Sequence, residues 1–204
     1  MANVYIISAP SGAGKTSLVR GVCNILPFVT PSISFTTRKI RDSEEDGKDY
    51  CFIDEENFNH KISNNEFLEY QYVYGNMYGS TLESVTSITS IGSDVILEID
   101  YQGMLAVKKA LPESISIYIT PPNISDLKDR LLKRGEDEED VINKRMASSS
   151  KEMKYAKYAD YILINDDFDE ALNILKGIII FNRVNRHILV DWVEKLNYIK
   201  NHIV

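Results

Sequence analysis

Cysteine, histidine and tryptophan are scarce in this 204-residue sequence, which contains two, three and one of them. The two cysteines, Cys23 and Cys51, form no CxxC pair, and the three histidines are scattered along the chain. A structural zinc site needs clustered sulfur and imidazole ligands, so we expect none here. Two unpaired thiols are typical of a protein in a reducing compartment.

Positive charge is also in short supply, with 23 lysines and arginines against 30 aspartates and glutamates and a net charge of −7. Proteins that bind nucleic acid or acidic membranes through charge usually need a basic face. We therefore expect neither nucleic acid nor a membrane as a partner. Any phosphate site must be a local positive pocket in a negatively charged protein.

Long apolar runs are missing as well, and no run approaches the ~20 residues of a membrane span. The N-terminal run VYIISA is shorter than the core of a signal peptide and leads directly into a glycine-rich stretch. We expect a cytoplasmic protein. The hydrophobic share of 44% is ordinary for a globular domain of this length.

Strand and helix patterns alternate along most of the chain. Apolar runs at 4–8, 94–99, 114–119 and 158–165 are typical of strands buried on both faces of a parallel sheet. Such alternation indicates an α/β fold with a central parallel sheet flanked by helices. Helical spacing predicts a first helix that follows the first strand and ends before Pro27. Further helices are predicted between and after the other strands, at 81–91, 101–110, 124–134, 137–157, 167–184 and 187–202.

Residues 33–83 have a different character, because they are rich in Tyr, Phe, Ser and Asn. Their short alternating stretches, such as DYCFI and FLEYQYVYGNMYG, predict a small mixed β insertion with one helix at 54–63.

A glycine-rich stretch, SAPSGAGKTS, lies between the first predicted strand and the first predicted helix. Its spacing is that of a Walker A phosphate loop, except that Ala9 takes the place of the usual first glycine. In such a loop glycines let backbone N–H groups surround phosphates, lysine reaches the β and γ phosphates, and the hydroxyl binds Mg²⁺. The candidate nucleotide-binding residues are Ala9, Pro10, Ser11, Gly12, Ala13, Gly14, Lys15, Thr16 and Ser17.

A glycine- and serine-rich turn with a chance lysine is the alternative explanation for this stretch. The strand before it and the helix after it favour the phosphate loop. Alanine is acceptable at position 9 if its φ is negative, since that position only turns the chain away from the strand.

The insertion contains a candidate anion clamp in SFTTRKIR, where Ser34, Arg38 and Arg41 are close in sequence. Glu69 is a lone carboxylate in an aromatic stretch, and it could accept both N1–H and N2–H₂ of a guanine. Hydroxyls that could serve the same ligand are those of Tyr50, Tyr78 and Ser80. Taken singly, each of these residues is better explained by a structural role, with the tyrosines in the core and Glu69 on the surface.

Further charged residues follow the strands that come later in the chain. Asp100 follows the strand at 94–99, at the edge where ligands of open α/β sheets collect, and it could bind guanine, the Mg²⁺ shell or both. Arg130 and Arg134 share a helix face, which suggests a triphosphate contact, although Asp126 and Glu138 could also neutralise them.

Six motifs taken together carry a resemblance to a known family: SAPSGAGKTSL, SFTTRKIR, DGKDYCFI, FLEYQYVYGNMYGS, VILEIDYQG and RLLKRGEDEEDVINKRM. In this order, over residues 3–184, the chain closely resembles the guanylate kinase family. The resemblance implies a three-layer P-loop fold divided into three parts. These parts would be a core domain at 1–32, 84–123 and 158–204, a GMP-binding insertion at 33–83 and a helical lid at 124–157.

The resemblance also implies roles for individual residues. The lid arginines would approach ATP and the transferring group, and Asn165 would lie near the adenine. The implied GMP ligands are Ser34, Arg38, Arg41, Tyr50 and Tyr78 for the phosphate and Glu69, Ser80 and Asp100 for the guanine. The implied ATP ligands outside the loop are Arg130, Arg134 and Asn165. The implied catalytic residues are Lys15, Arg38, Arg41, Arg134 and Arg145. Thr16 is the implied Mg²⁺ ligand, and Asp100 could be a second one.

The implied reaction is in-line transfer of the ATP γ-phosphoryl group to GMP or dGMP in purine nucleotide metabolism, without a covalent enzyme intermediate. One alternative is a guanylate-kinase-like module that binds peptides, although the loop lysine and the lid arginines are present. Another is a kinase for a different phosphorylated acceptor, such as ribose 1,5-bisphosphate, which would not need Glu69 and Ser80. The sequence is compatible with either a monomer or a homodimer.

Overall fold

The computed structural model describes residues 2–73, 75–127, 146–149 and 151–184. In chain order the strands are β1 (Val4–Ser8), β2 (Val29–Pro31), β3 (Phe35–Thr36), β4 (Cys51–Phe52), β5 (Phe67–Val73), β6 (Asn76–Thr81), β7 (Asp94–Glu98), β8 (Ile115–Thr120) and β9 (Tyr161–Ile164). The helices with both ends described are α1 (Lys15–Ile25), α2 (Glu55–Ser63), α3 (Leu82–Ser90) and α4 (Tyr101–Ala110). A further helix covers residues 168–184.

A parallel sheet of five strands, in the order β2-β7-β1-β8-β9, forms the centre of the molecule. Its inner strands are apolar on both faces, because helices cover the sheet from both sides. This confirms the α/β fold with a central parallel sheet. The edge strand β2 was not predicted, since three residues are too few to show a period.

Two apolar clusters, one on each face of the sheet, form the core. Alternate residues of a strand point to opposite faces. Tyr5 and Ile7 of β1 therefore pack with α1 and the 168–184 helix, whereas Ile6 packs with α3 and α4. On the side of the sheet covered by α3 and α4, the helix side chains that are fully or nearly fully buried are Val85, Met104 and Val107.

The predicted mixed β insertion is confirmed as a second sheet in the order β4-β3-β6-β5. Strands β5 and β6 form an antiparallel hairpin, while β3 pairs antiparallel with β6 and parallel with β4. Helix α2 begins after Asp54, whose side chain accepts the N–H of Asn57 at 2.8 Å. Phe58 of α2 is fully buried and stacks on Phe67 of β5, which fastens the helix to the sheet.

The segment before β9 differs from the prediction of an α-helix over 137–157. Residues 146–149 are helical, but Met153–Tyr158 form a 3₁₀-helix, a tighter turn that is common where a helix passes into another element. Much of the predicted helices at 124–134 and 137–157, and all of that at 187–202, lie outside the described residues. Within the described part of the chain, every helix is too short or too polar to span a membrane.

Candidate functional site

The phosphate loop lies between the carboxyl end of β1 and the N-terminus of α1, as predicted. Gly12 and Gly14 have φ values of 87° and 90°, a left-handed conformation that favours glycine. Ala9 does not have a positive φ, so alanine is tolerated where the usual pattern has glycine. The loop is compact, and its Ala13 N–H donates to the carbonyl of Pro10 at 3.2 Å.

Asn165 holds this loop from the opposite side. It follows β9, where its backbone N–H donates to the Thr120 carbonyl at 2.8 Å, and its side chain is 5% exposed. The side-chain amide donates to the carbonyl of Ala13 at 2.7 Å. A β-carbon on Gly14 would overlap Asn165 Nδ2, so a larger residue here would displace the Asn165 amide, and the positive φ of Gly14 also favours glycine.

Lys15 and Thr16, at the start of α1, both reach the carboxyl end of β7. Lys15 Nζ donates to the carbonyl of Ile99 at 3.2 Å and lies 4.0 Å from Glu98 Oε1. Thr16 Oγ1 donates a short hydrogen bond to the same Glu98 oxygen. Sequence reasoning missed Glu98, although a carboxylate at the end of a predicted strand was a usable signal.

Asp100 lies just beyond β7, as predicted, and its side chain caps α4. Its Oδ1 accepts the N–H of Gly103 at 2.8 Å, and Oδ2 accepts a longer hydrogen bond of 3.4 Å from Gln102. The carboxylate that meets Thr16 is therefore that of Glu98, while Asp100 is engaged with the first turn of α4.

The two arginines of the predicted anion clamp meet at a carboxylate that sequence reasoning missed, that of Glu44. Arg38 donates to Glu44 Oε1 at 2.7 Å, and the backbone N–H of Arg41 donates to Glu44 Oε2 at 3.0 Å. Burial alone would raise the pKa of Glu44, but the hydrogen bond from Arg38 holds it below its usual range. The Arg38 guanidinium is thereby oriented, and the Arg41 guanidinium lies 3.9 Å from the same Glu44 oxygen.

Aromatic rings surround this clamp. The Arg38 guanidinium lies 5.5 Å from the centroid of Tyr50, and the Tyr50 and Tyr78 rings meet edge to face at 6.0 Å. Burial raises the pKa of Tyr50, and the negative charge of Glu98 adds to the effect. The Tyr50 hydroxyl therefore stays protonated and able to donate a hydrogen bond.

Glu69 of β5 is buried beside Ser80, which in turn contacts Ser34. Its side chain is 6% exposed, and its Oε1 accepts the Ser80 N–H at 3.1 Å. Ser80 Oγ also lies 3.0 Å from Ser34 Oγ. Burial raises the pKa of Glu69 to about 7; its hydrogen bonds with Ser80 act in the opposite direction, and the nearby charge of Asp100 raises it further.

The structure therefore brings the predicted residues into two neighbouring groups. One is the loop group of Lys15, Thr16 and Asn165, and the other is the insertion group of arginines, tyrosines, serines and Glu69. Lys15 donates to the carbonyl of Ile99, and Glu69 lies against the first turn of α4 just beyond Ile99, so the two groups are neighbours. Arg130, Arg134 and Arg145 lie outside the described residues. Within those residues no cluster of three or more His, Cys, Asp or Glu side chains could hold a metal alone.

A parallel sheet with a phosphate loop after its central strand defines a P-loop nucleotide-binding protein, here with a second sheet. The guanylate kinase family model matches residues 1–181. The guanylate kinase of Alkalilimnicola ehrlichii is 46% identical over 181 residues, which cover 88% of this chain and 89% of that protein. The guanylate kinase of Coxiella burnetii is 43% identical over 96% of this chain and 95% of its own length.

A solved structure agrees with these sequence matches. The guanylate kinase of Anaplasma phagocytophilum superposes with a TM-score of 0.70 at 27% identity and covers 89% of this chain and 86% of that one. The chain belongs to the guanylate kinase family. The resemblance inferred from the motifs is thus confirmed, together with the GMP kinase activity that it implied.

Proposed function

We propose that the protein transfers the γ-phosphoryl group of ATP to the phosphate of GMP or dGMP, giving ADP and GDP or dGDP. The observation that carries this proposal is the buried Glu69 carboxylate, which accepts a hydrogen bond from Ser80 and lies against the first turn of α4, close to the Ile99 carbonyl that Lys15 reaches. A carboxylate in this position suits an acceptor base with adjacent N–H donors.

The loop would bind the donor, ATP. Backbone N–H groups of residues 11–17, at the loop and the N-terminus of α1, would surround the phosphates, and Lys15 would neutralise charge on the β and γ groups. Asn165 supports the loop from behind through the carbonyl of Ala13. We also propose that Asn165 lies at the adenine end and that Arg130 and Arg134 contact the triphosphate.

The side chains present also fit a magnesium ion. A hydroxyl and a carboxylate, those of Thr16 and Glu98, meet beside the loop, and oxygen donors of this kind suit Mg²⁺. Thr16 would hold the ion and Glu98 would orient Thr16 or replace one of the ion's waters, with Asp100 nearby as a second carboxylate. The bound ion supplies positive charge to the phosphate oxygens.

The insertion would bind the acceptor, GMP. The residues that would hold its phosphate are Ser34, Arg38, Arg41, Tyr50 and Tyr78. Glu44 orients the Arg38 guanidinium before the ligand arrives, and the Arg41 guanidinium lies 3.9 Å from the same carboxylate. Glu69 would accept the guanine N1–H and N2–H₂, and Ser80 would donate to O6.

Catalysis would be by position and charge. The acceptor phosphate oxygen would attack the γ-phosphorus in line with the leaving oxygen of ADP, while Lys15, Arg38 and Arg41 would stabilise the negative charge. Arg134 and Arg145 would add charge from the lid. We propose a core domain at 1–32, 84–123 and 158–204, a GMP-binding insertion at 33–83 and a lid at 124–157, which would close to exclude water.

The two alternatives are less well supported. A peptide-binding module has no need of a lysine and a threonine placed at the loop beside Glu98. A kinase for ribose 1,5-bisphosphate has no need of a buried carboxylate for a base. We place the activity in purine nucleotide metabolism in the cytoplasm, which agrees with the free Cys23 and Cys51 thiols, and propose a monomer or a homodimer without a nucleic-acid partner.

A coupled assay of ADP release with Mg²⁺-ATP tests this function. The acceptors compared would be GMP, dGMP, AMP, UMP and ribose 1,5-bisphosphate. We expect turnover with GMP and dGMP, and a loss of at least about a hundredfold in kcat for Lys15→Ala because the phosphate charge is left uncompensated. Lys48→Ala, which removes an exposed lysine of the insertion, is the matched control and should act normally. Turnover with AMP or ribose 1,5-bisphosphate but not with GMP would refute the proposal.

A further inference from the structure

Gly103, in the first turn of α4, lies against the carboxylate of Glu69. A β-carbon at this position would be 2.8 Å from Glu69 Oε2 and 3.2 Å from Cβ and Cδ1 of Ile99. Carbon and oxygen atoms that are not bonded do not approach to 2.8 Å without repulsion. Any residue other than glycine at position 103 therefore requires a neighbour to move.

The part that can move is the carboxylate, since the backbones on either side are held in place. The N–H of Gly103 is bonded to the capping side chain of Asp100 at 2.8 Å, which fixes the first turn of α4. Glu69 lies in the paired strand β5, whose register with β6 runs through Glu69 and Ser80. Glu69 Oε2 is the end of a flexible side chain, so a methyl group at position 103 would displace it.

Such a displacement would affect both oxygens of the carboxylate. Oε1 is held by the N–H of Ser80 at 3.1 Å, and the side chain is 6% exposed, so there is little room for a second arrangement. A shift of Oε2 changes the direction in which the carboxylate faces a ligand. Hydrogen bonds weaken steeply with such a change in angle.

We propose that Gly103 is a positioning residue for recognition of the acceptor base. Its missing side chain leaves the space in which Glu69 Oε2 lies, and this space sets the direction in which the carboxylate presents itself to a base with two adjacent N–H donors. The inference rests on the proposed role of Glu69 in binding guanine. It adds to guanine recognition a residue of α4, a helix that packs on the five-stranded sheet.

The substitution Gly103→Ala tests the inference. Alanine favours a helix more than glycine does, so the variant should fold. We expect the KM for GMP to rise by about tenfold, because a buried donor of the base loses a well-placed acceptor, while the KM for ATP stays within about twofold. Gly177→Ala is the matched control, since a β-carbon at Gly177 in the 168–184 helix would meet nothing within 4 Å.

A double-mutant cycle shows whether Gly103 acts through Glu69. When Glu69→Ala has already removed the carboxylate, the added methyl group has no oxygen to displace, so Gly103→Ala should then change the KM for GMP by less than about twofold. An undiminished effect of Gly103→Ala in the Glu69→Ala background would overturn the inference. So would equal rises of KM for GMP and ATP, or a GMP KM like that of the Gly177→Ala control.

The same cycle separates failure of this inference from failure of the proposed function. If Glu69→Ala itself leaves the KM for GMP unchanged, the role of Glu69 in guanine binding is wrong, and the proposed positioning role falls with it. If Glu69→Ala raises the KM but Gly103→Ala does not, only the positioning role is refuted. Thermal unfolding of each variant shows whether a changed KM comes with an intact fold.

Discussion

Glu69 illustrates how one environment gives a side chain both its specificity and its pH dependence. The carboxylate is removed from water between β5 and α4, and burial raises its pKa to about 7. A neutral carboxyl group presents one donor and fewer acceptor sites, whereas the ionised group can accept from two adjacent N–H groups. Binding of a base with two such donors therefore favours the ionised form.

The KM for GMP should consequently depend on pH. The unliganded protein holds Glu69 mainly neutral at pH 6 and mainly ionised at pH 8, so we expect the KM for GMP to fall by up to about tenfold over this range. The measurement is a series of initial rates against GMP concentration. Glu69→Gln is the control, because its profile retains only the titration of the GMP phosphate; parallel profiles for the two proteins would contradict the expectation.

The 168–184 helix illustrates how a single side chain ties separate elements together. Arg183 donates to Asp94 Oδ2, at the start of β7, at 2.7 Å, and to the carbonyls of Pro27 and Phe28 at 2.8 and 2.7 Å. Asp94 is 4% exposed and also accepts the N–H of Asn3 at 2.7 Å. One guanidinium group thus joins this helix, β7 and the turn between α1 and β2.

Removal of this guanidinium should destabilise the protein. Arg183→Ala leaves the buried Asp94 carboxylate with one fewer donor and leaves two carbonyls to find water, so we expect the free energy of unfolding to fall by about 2 kcal/mol. Urea unfolding monitored by circular dichroism measures the change. Asn173→Ala, at an exposed position of the same helix, should stay within about 0.5 kcal/mol. Equal stabilities for the two variants would show that the ion pair adds nothing net.

The two sheets together place donor and acceptor sites side by side. The five-stranded sheet carries the phosphate loop, and the four-stranded sheet carries the arginine clamp and Glu69. Contacts between α4 and β5 join the sheets, and an ion pair of Arg20 in α1 with Asp49 of the insertion adds a second connection. Ligand binding to either sheet should therefore stabilise the folded chain as a unit.

GMP alone, in the absence of ATP, should raise the free energy of unfolding of the protein. At a concentration 100 times its Kd, a ligand that binds only the folded state adds about 2.7 kcal/mol to the free energy of unfolding. Thermal and urea unfolding with GMP measure this shift. CMP carries the same ribose and phosphate but has no ring N–H for Glu69, so it should stabilise far less at the same concentration. Equal stabilisation by GMP and CMP would mean that the site reads only the phosphate.

The sequence predicted the parallel core, the mixed insertion and the phosphate loop because their signals are local. A loop glycine, an apolar run or a helical period is visible within a few residues. Glu98 was missed because its importance depends on a hydrogen bond with Thr16, 82 residues away in the chain. Glu44 was missed because its importance depends on how the loop after β3 folds back on Arg38. The roles of the individual ligands stay predictions until the variants are measured.

The order of strands and helices and the conformation of the loop at Gly12 and Gly14 follow from neighbouring residues alone, because side-chain period and φ preference are short-range properties. The juxtaposition of Glu69 with Gly103, and of Asn165 with Gly14, came only from packing. Each pair joins segments far apart in the chain, and close approach between them depends on which strands pair and which helix faces them. The missing side chain of Gly103 makes room for the Glu69 carboxylate only because β5 and α4 pack together.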